Sequence, residues 1–235
     1  MLLPILMGLP AGLMTTVAGM GGGLVLMVVL AAILGPHEAL LLSAPALLVG
    51  NLHRAVMMRH SIERRLALPF ALGALPGALV GGALVMRLPP LVVKIGIVCA
   101  CVLALVSALW RWKWTPSRRV LPFIALGTGA LSALGVGAGL VVSPVLLGAG
   151  LRARAYVGTA SVVASALHIG RIGGYAHSGK LSWLLLGASA ALAAAITVGN
   201  VVGARLDGAL DARWRERIHY GALACCALAA LAALL

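Results

Sequence analysis

The stretch GMGGGLV at residues 19–25 decides the fold, and a second copy, GVGAGLV, follows at residues 135–141. Each copy interrupts a long apolar run. As one helix, residues 2–34 would be about 50 Å long, whereas the hydrocarbon core of a bilayer is about 30 Å thick. Glycine permits a sharp backbone turn. We therefore predict that residues 2–34 and 120–150 each form a helical hairpin that enters the membrane and returns.

The composition places the rest of the chain in a bilayer as well. Of 235 residues, 62% are hydrophobic and only 10% are charged, against about 25% charged in a typical soluble domain. Apolar runs of about 20 residues recur along the chain, which is the length of a transmembrane helix, whereas β-barrel strands would be shorter and alternating. The sequence predicts an all-α integral membrane protein.

The net charge of +13 does not indicate a nucleic-acid partner. The 18 Lys and Arg residues stand in short clusters between apolar runs, which is the pattern of membrane loops. The expected surroundings are the lipid bilayer of a bacterial inner membrane, crossed several times.

Matches between the two halves identify a tandem duplication. Gly77-xxx-Gly81 resembles Gly199-xxx-Gly203, and Ser43 in the first half meets Thr159 in the second. We predict two membrane repeats, 1–112 and 113–235, within one integral membrane domain. Each repeat comprises a hairpin and three transmembrane helices, giving about ten helical segments. Because three crossings are an odd number, the second repeat starts on the opposite face and the repeats are inverted.

The positive charges favour hairpins over single crossings. With hairpins, fourteen Lys and Arg residues fall on one side and four on the other, whereas eight single crossings divide them ten to eight. Cytoplasmic loops carry the excess of Lys and Arg. Both termini are therefore predicted to lie outside the cytoplasm.

The glycine turns and nearby polar residues are the candidate binding site. A helix that starts at a turn inside the membrane directs free N–H groups and a positive dipole end at that point, which favours an anion. Asn51 and Arg54 share a helix face at i, i+3, and His168 and Arg171 repeat that spacing. The candidate substrate-binding residues are Gly21, Gly22, Gly23, Gly137, Gly139, Ser43, Asn51, Arg54, Ser143, Thr159, Ser161, His168 and Arg171.

Each candidate also has a structural interpretation. The glycines would serve close helix packing, the arginines would extend to lipid headgroups, His168 would be a packing residue, and the hydroxyls would bond to the helix backbone. His168 is the one mid-segment group suited to proton uptake near neutral pH, so proton coupling is a further possibility. The acids fall in or near loops, and no metal-ligand cluster or catalytic motif is present. We expect no cofactor, no metal and no enzymatic activity.

The two glycine turns, GVGAGLVVSP at 135–144 and AYVGTAS at 155–161 resemble the TauE/SafE family of sulfite exporter-like membrane proteins. The resemblance extends over both halves of the chain. It implies a permease for sulfite, an organosulfonate or a related small sulfur anion. The first half departs from the pattern, with Met27-Val28 where the second half has Ser143-Pro144. The two sides of the site are therefore expected to be unequal.

Two functions follow from these observations. The leading prediction is a transporter for a small anion, bound at the midplane between the repeats. The alternative is a non-transporting membrane scaffold or assembly factor. The paired glycine turns and polar faces favour transport, because a scaffold has no use for helix N-termini buried at one point.

Overall fold

The structure is a computed structural model that describes residues 2–18, 21–110, 115–117, 119–135 and 142–207, with positions 217, 220, 221, 224 and 228 beyond. Throughout these residues the regular structure is helical, without strands, as the composition predicts. The helices are α1 (Leu2–Leu6), α2 (Gly8–Ala18), α3 (Gly22–Leu34), α4 (Pro36–Met57), a 3₁₀ turn (Arg59–Ser61), α5 (Arg64–Val85), α6 (Pro90–Leu109), α7 (Leu121–Ser132), α8 (Val142–Gly148), α9 (Ala153–Ala176) and α10 (Trp183–Asp207).

Three of the described helices are long and apolar enough to cross a membrane, namely α4, α5 and residues Trp183–Leu206 of α10. On α5, Leu68, Leu72 and Leu79 form an exposed apolar stripe at helical spacing. Such a surface suits lipid, where apolar side chains face the solvent.

Both long apolar runs are broken at the predicted glycine turns. α2 ends at Ala18 and α3 begins at Gly22, after Gly21 adopts a φ of 96°. α3 then contacts both α2 and α1, so it runs back along the segment that precedes the turn. In the second run α7 ends at Ser132, and Gly135 has a φ of 79°. These positive φ values favour glycine because a Cβ would be strained there.

Glycines bring the helices into backbone contact. A Cβ added to Gly77 on α5 would clash with the carbonyl group of Leu126 on α7. In the same way, a Cβ on Gly12 of α2 would clash with the carbonyl group of Ile196 on α10. These close approaches are the small-residue packing typical of membrane helices.

The helix pairs correspond between the two halves. α2 packs against α10 as α7 packs against α5, and α4 packs against α10 as α9 packs against α5. α4 and α9 also pack against each other. When the halves are exchanged, α2–α10 becomes α7–α5, α4–α10 becomes α9–α5, and α4–α9 becomes itself. The predicted boundary between the repeats, at residues 112 and 113, lies outside the described residues.

Two of these pairs, α5–α9 and α4–α10, run parallel. Along α5, Leu75 contacts Gly170 of α9 and Leu79 contacts Gly174. Along α4, Leu42 accepts a hydrogen bond from Ser189 of α10, and Gly50 accepts one from Asn200. In both pairs the residue numbers rise together, so the helices point the same way.

Candidate functional site

Two arginines are buried inside the helical core. Arg54 on α4 is 5% exposed and Arg171 on α9 is 2% exposed. The side chains therefore do not extend to the surface, where a headgroup would meet them. Buried guanidinium groups at membrane depth mark functional sites, because burying a charge is costly unless something compensates it.

Arg54 is held by the residue one turn earlier. Its Nη2 donates to Oδ1 of Asn51, while Asn51 Nδ2 donates to the Leu47 carbonyl oxygen at 2.7 Å. The i, i+3 spacing read from the sequence thus brings these two side chains together. Within the described structure the Arg54 Nε has no hydrogen-bond partner.

Arg171 is held by two residues of its own helix. Its Nε donates to the Tyr175 Oη at 3.0 Å, and its Nη1 lies 3.4 Å from the His168 Nδ1. The Tyr175 hydroxyl in turn donates to the Ala133 carbonyl oxygen at 2.8 Å, next to the second glycine turn. Arg171 Nη2 has no partner among the described atoms.

The contact with Arg171 determines the form of the His168 ring. A guanidinium group only donates hydrogen bonds, so Nδ1 must accept and the ring proton must stand on Nε2. His168 is 7% exposed. In this arrangement it is a neutral ring that carries one remaining N–H donor.

The two arginines act on one region. The charges of Arg171 and Arg54 both act on the His168 ring, although Arg54 belongs to the neighbouring helix α4. These polar groups therefore lie on two helices, α4 and α9, that pack against each other.

No carboxylate compensates the two guanidinium groups within the described part of the chain. Their side-chain partners are the amide of Asn51, the imidazole of His168 and the phenol of Tyr175. The acids Glu38 and Glu63 are exposed at the helix ends. Glu38 is 16 residues from Arg54 on the same helix, a rise of about 24 Å.

The three glycines of the first turn have different roles. Gly21 supplies the positive φ, and a Cβ on Gly22 would clash with the carbonyl group of Ala11. A Cβ on Gly23 would lie 3.7 Å from Leu47, an ordinary contact. The first helical bonds run from Leu24 and Val25 to the Gly21 carbonyl oxygen, so the N–H groups of Gly22 and Gly23 precede them and need other acceptors.

The packing of α3 on α4 places this turn near Asn51. Met27 contacts Ser43 and Gly23 lies nearest Leu47, so α3 and α4 are antiparallel. Continuing that register brings Gly21 to the level of Val49, two residues before Asn51. Gly22 and Gly23 then lie at the level of Leu48 and Leu47, six and seven residues before Arg54, which is a rise of about 10 Å along the α4 axis.

The second turn is described only at its first residue. Gly137 and Gly139 lie outside the described residues. A Cβ on Gly135 would be 2.8 Å from Met27 Cγ, so this turn reaches across to the first hairpin.

The candidate hydroxyls are mostly engaged in local bonds. Ser43 donates to the Leu40 carbonyl oxygen at 3.4 Å and lies 3.6 Å from the Met27 sulfur. Thr159 accepts a hydrogen bond from the Glu63 amide at 3.0 Å, at the connection between α4 and α5. Ser161 is buried on α9. The structure therefore gives Ser43 and Thr159 packing and capping partners.

Ser143 differs, because it shares a hydrogen bond with a tyrosine that the sequence did not single out. Its Oγ lies 2.6 Å from the Tyr156 Oη. One hydroxyl accepts in this pair and keeps its own hydrogen for another acceptor. Tyr156 is buried on α9, the helix that also carries His168 and Arg171.

Tyr156 and Tyr175 are the residues that sequence reasoning missed. The chain has only three tyrosines, and two of them are buried on α9. Tyr175 is four residues after Arg171 and so shares its helix face. That spacing was a usable signal.

Asn200 has the packing role expected of an amide inside a membrane. It accepts from the Thr16 hydroxyl at 3.0 Å and donates to the Gly50 carbonyl oxygen at 2.9 Å. It thereby joins α2, α10 and α4. In the described residues no three His, Cys, Asp or Glu side chains are grouped as a metal site would require.

Comparison with known families shows which family carries this arrangement. A family model described as Sulfite exporter TauE/SafE matches residues 4–230. The chain belongs to the TauE/SafE family. The resemblance seen in the glycine turns is thereby confirmed, and this TauE/SafE protein is assigned to a family of membrane transporters for sulfur anions. No protein of curated function and no solved structure matches the chain.

Proposed function

We propose that this TauE/SafE protein transports sulfite, an organosulfonate or a related sulfur oxyanion, bound at the midplane between α4 and α9. The observation that carries the proposal is the pair of buried arginines. Arg54 and Arg171 each keep one unpartnered N–H group, and neither arginine has a carboxylate partner in the described structure. An anion would supply both the missing acceptors and the missing charge.

The cost of burial supports this role. A buried charge without a partner is strongly destabilising, by several kcal/mol. A bound solute that partners both groups is the simplest explanation for two such charges in one membrane core. The first amides of α3, which have no acceptor within that helix, would add donors on the side of Asn51.

The site is proposed to lie between two inverted repeats, 1–112 and 113–235. The correspondence of helix pairs when the halves are exchanged supports this symmetry. Each repeat would contribute one broken hairpin and one arginine. A site between such repeats allows alternating access by movement of one repeat against the other.

The two halves of the proposed site are unequal. Arg54 is oriented by Asn51, whereas Arg171 is oriented by Tyr175 and His168. Ser143 and Tyr156 add a hydroxyl pair only on the side of α8 and α9. We place this transporter in a bacterial inner membrane with both termini outside the cytoplasm, and we propose that His168 couples transport to protons.

Sulfite flux through proteoliposomes tests the function. Wild-type protein should accelerate release of radiolabelled sulfite over empty liposomes. Arg54→Gln and Arg171→Gln should each lower that rate by at least about tenfold, because each leaves the anion without one buried counter-charge. The matched control is Arg59→Gln, an exposed arginine outside the site, which should retain the rate. Absence of flux for every sulfur anion would instead favour a membrane scaffold.

A further inference from the structure

The charge of the site limits the charge of its ligand. Arginine remains protonated at every physiological pH, so Arg54 and Arg171 contribute two positive charges. His168 adds none while its Nδ1 accepts from Arg171. Among the described acids, Glu38 and Glu63 are exposed at helix ends. The described polar region therefore carries two uncompensated positive charges.

The unpartnered donors belong to different helices. One is Nε of Arg54 on α4, and the other is Nη2 of Arg171 on α9. Both are fully enclosed, and the remaining contacts of each guanidinium hold it in place through Asn51 or through Tyr175 and His168. Two fixed donors on helices that pack against each other suit an anion with several acceptor oxygens.

We propose that the transported anion is a dianion, and that Arg54 and Arg171 bind it together from opposite helices. This inference rests on the proposed function and specifies the charge class of its substrate. A monoanion would leave one guanidinium uncompensated in a medium of low dielectric constant, where an unpaired charge is costly. A dianion neutralises both. Sulfate, the dianionic form of sulfite and carboxylate-bearing sulfonates belong to this class.

The test compares anions that have the same shape and different charges. Sulfate and methanesulfonate are both tetrahedral at sulfur and carry two and one negative charges. Sulfoacetate and ethanesulfonate form a second pair, in which a carboxylate replaces a methyl group. Binding to the purified full-length protein is measured by calorimetry and by the shift in thermal unfolding, at constant pH and ionic strength. In each pair for which binding is detected, the dianion should bind at least about tenfold more tightly than the monoanion, with one ion bound per chain.

Variants separate charge from shape. In Arg54→Gln and in Arg171→Gln the preference for the dianion should fall to less than about threefold, because one positive charge remains. Arg59→Gln, which removes an exposed charge, should leave the preference unchanged. If a glutamine variant fails to fold, Arg54→Lys and Arg171→Lys keep the charge and should retain the preference.

The outcomes distinguish this inference from the proposed function. Equal binding of monoanion and dianion, or two monoanions bound per chain, would overturn the dianion inference while sulfite flux still supported transport. A preference that persists in both glutamine variants would overturn the assignment to Arg54 and Arg171. Absence of both binding and flux for all four anions and sulfite would overturn both proposals.

Discussion

Tyr175 connects the second arginine to the second glycine turn. It accepts from Arg171 and donates to the Ala133 carbonyl oxygen, which belongs to a residue 42 positions earlier. The spacing of Arg171 and Tyr175 within α9 could be read from the sequence, but the contact with Ala133 could not, because it depends on how α7 packs. The i, i+3 pairs of Asn51 with Arg54 and of His168 with Arg171 are local, and the sequence predicted both.

Removing the Tyr175 hydroxyl should affect both its partners. In Tyr175→Phe the Arg171 Nε loses its acceptor and the Ala133 carbonyl loses its donor. A buried group left without a partner costs about 1–3 kcal/mol of stability. We expect a lower free energy of unfolding and weaker sulfate binding, because Arg171 is no longer oriented. Arg171→Lys is the comparison, since a lysine keeps the charge without the planar geometry. Unchanged sulfate affinity in Tyr175→Phe would contradict a positioning role.

His168 should make anion binding depend on pH. A proton on Nδ1 replaces the hydrogen bond from Arg171 by repulsion between cations, and Arg54 on α4 adds to that repulsion. A bound anion offsets the repulsion, so binding should favour proton uptake. Sulfate affinity should then rise as the pH falls from about 8 to about 5.5. His168→Gln, which carries no titrating group, should flatten the profile. The same slope in both proteins would refute coupling through this residue.

At the scale of elements, chain length together with the glycines predicted where the two long apolar runs break. A run too long for one crossing and interrupted by glycines predicted turns near residues 21 and 135, and the structure has positive φ values at both. The roles of individual glycines were not predictable. Gly22 is needed for packing against α2, while Gly23 is not, because that difference depends on which neighbour each one faces.

This difference gives a matched pair of variants within the first turn. Gly22→Ala places a methyl group against the carbonyl group of Ala11 and should lower the unfolding temperature markedly, since backbone atoms cannot move aside. Gly23→Ala meets Leu47 at an ordinary distance and should be neutral or stabilising by up to about 1 kcal/mol, because alanine favours a helix. Thermal unfolding in detergent compares the two. Equal destabilisation of the two variants would mean that the conformation of the turn, rather than the contact with α2, requires glycine.

At the scale of the whole molecule, the sequence predicted a duplication but not which helices meet. The Gly-xxx-Gly motifs at residues 77–81 and 199–203 predict close packing without naming a partner. The structure pairs the first with α7 and the second with α2, so each motif meets a helix of the other half. Such partners cannot be deduced from spacing within one helix.

The direction of the helices bears on the membrane topology. If residues 2–34 and 120–150 each crossed the membrane once, α4 and α10 would run in opposite directions, as would α5 and α9. Both pairs are parallel. With one crossing for each of the other helices, the parallel pairs indicate that the run 120–150 returns to the side from which it entered.

The burial of two arginines sharpens the charge argument. Arg54 and Arg171 lie in the core and no longer count as loop charges. Thirteen Lys and Arg residues then fall on one side and three on the other with hairpins, against eight and eight with single crossings. The bias therefore survives the correction, and it predicts that the α4–α5 connection lies in the cytoplasm.

Both termini should consequently lie outside the cytoplasm. Alkaline phosphatase, which is active only outside the cytoplasm, should be active when fused at either terminus and inactive when inserted after Ser61, between α4 and α5. Green fluorescent protein at the same sites should give the opposite pattern. Fluorescence of a fusion at the carboxyl terminus would contradict the hairpin topology. With three crossings in each of the two repeats, the carboxyl terminus lies on the same face of the membrane as the start of the chain.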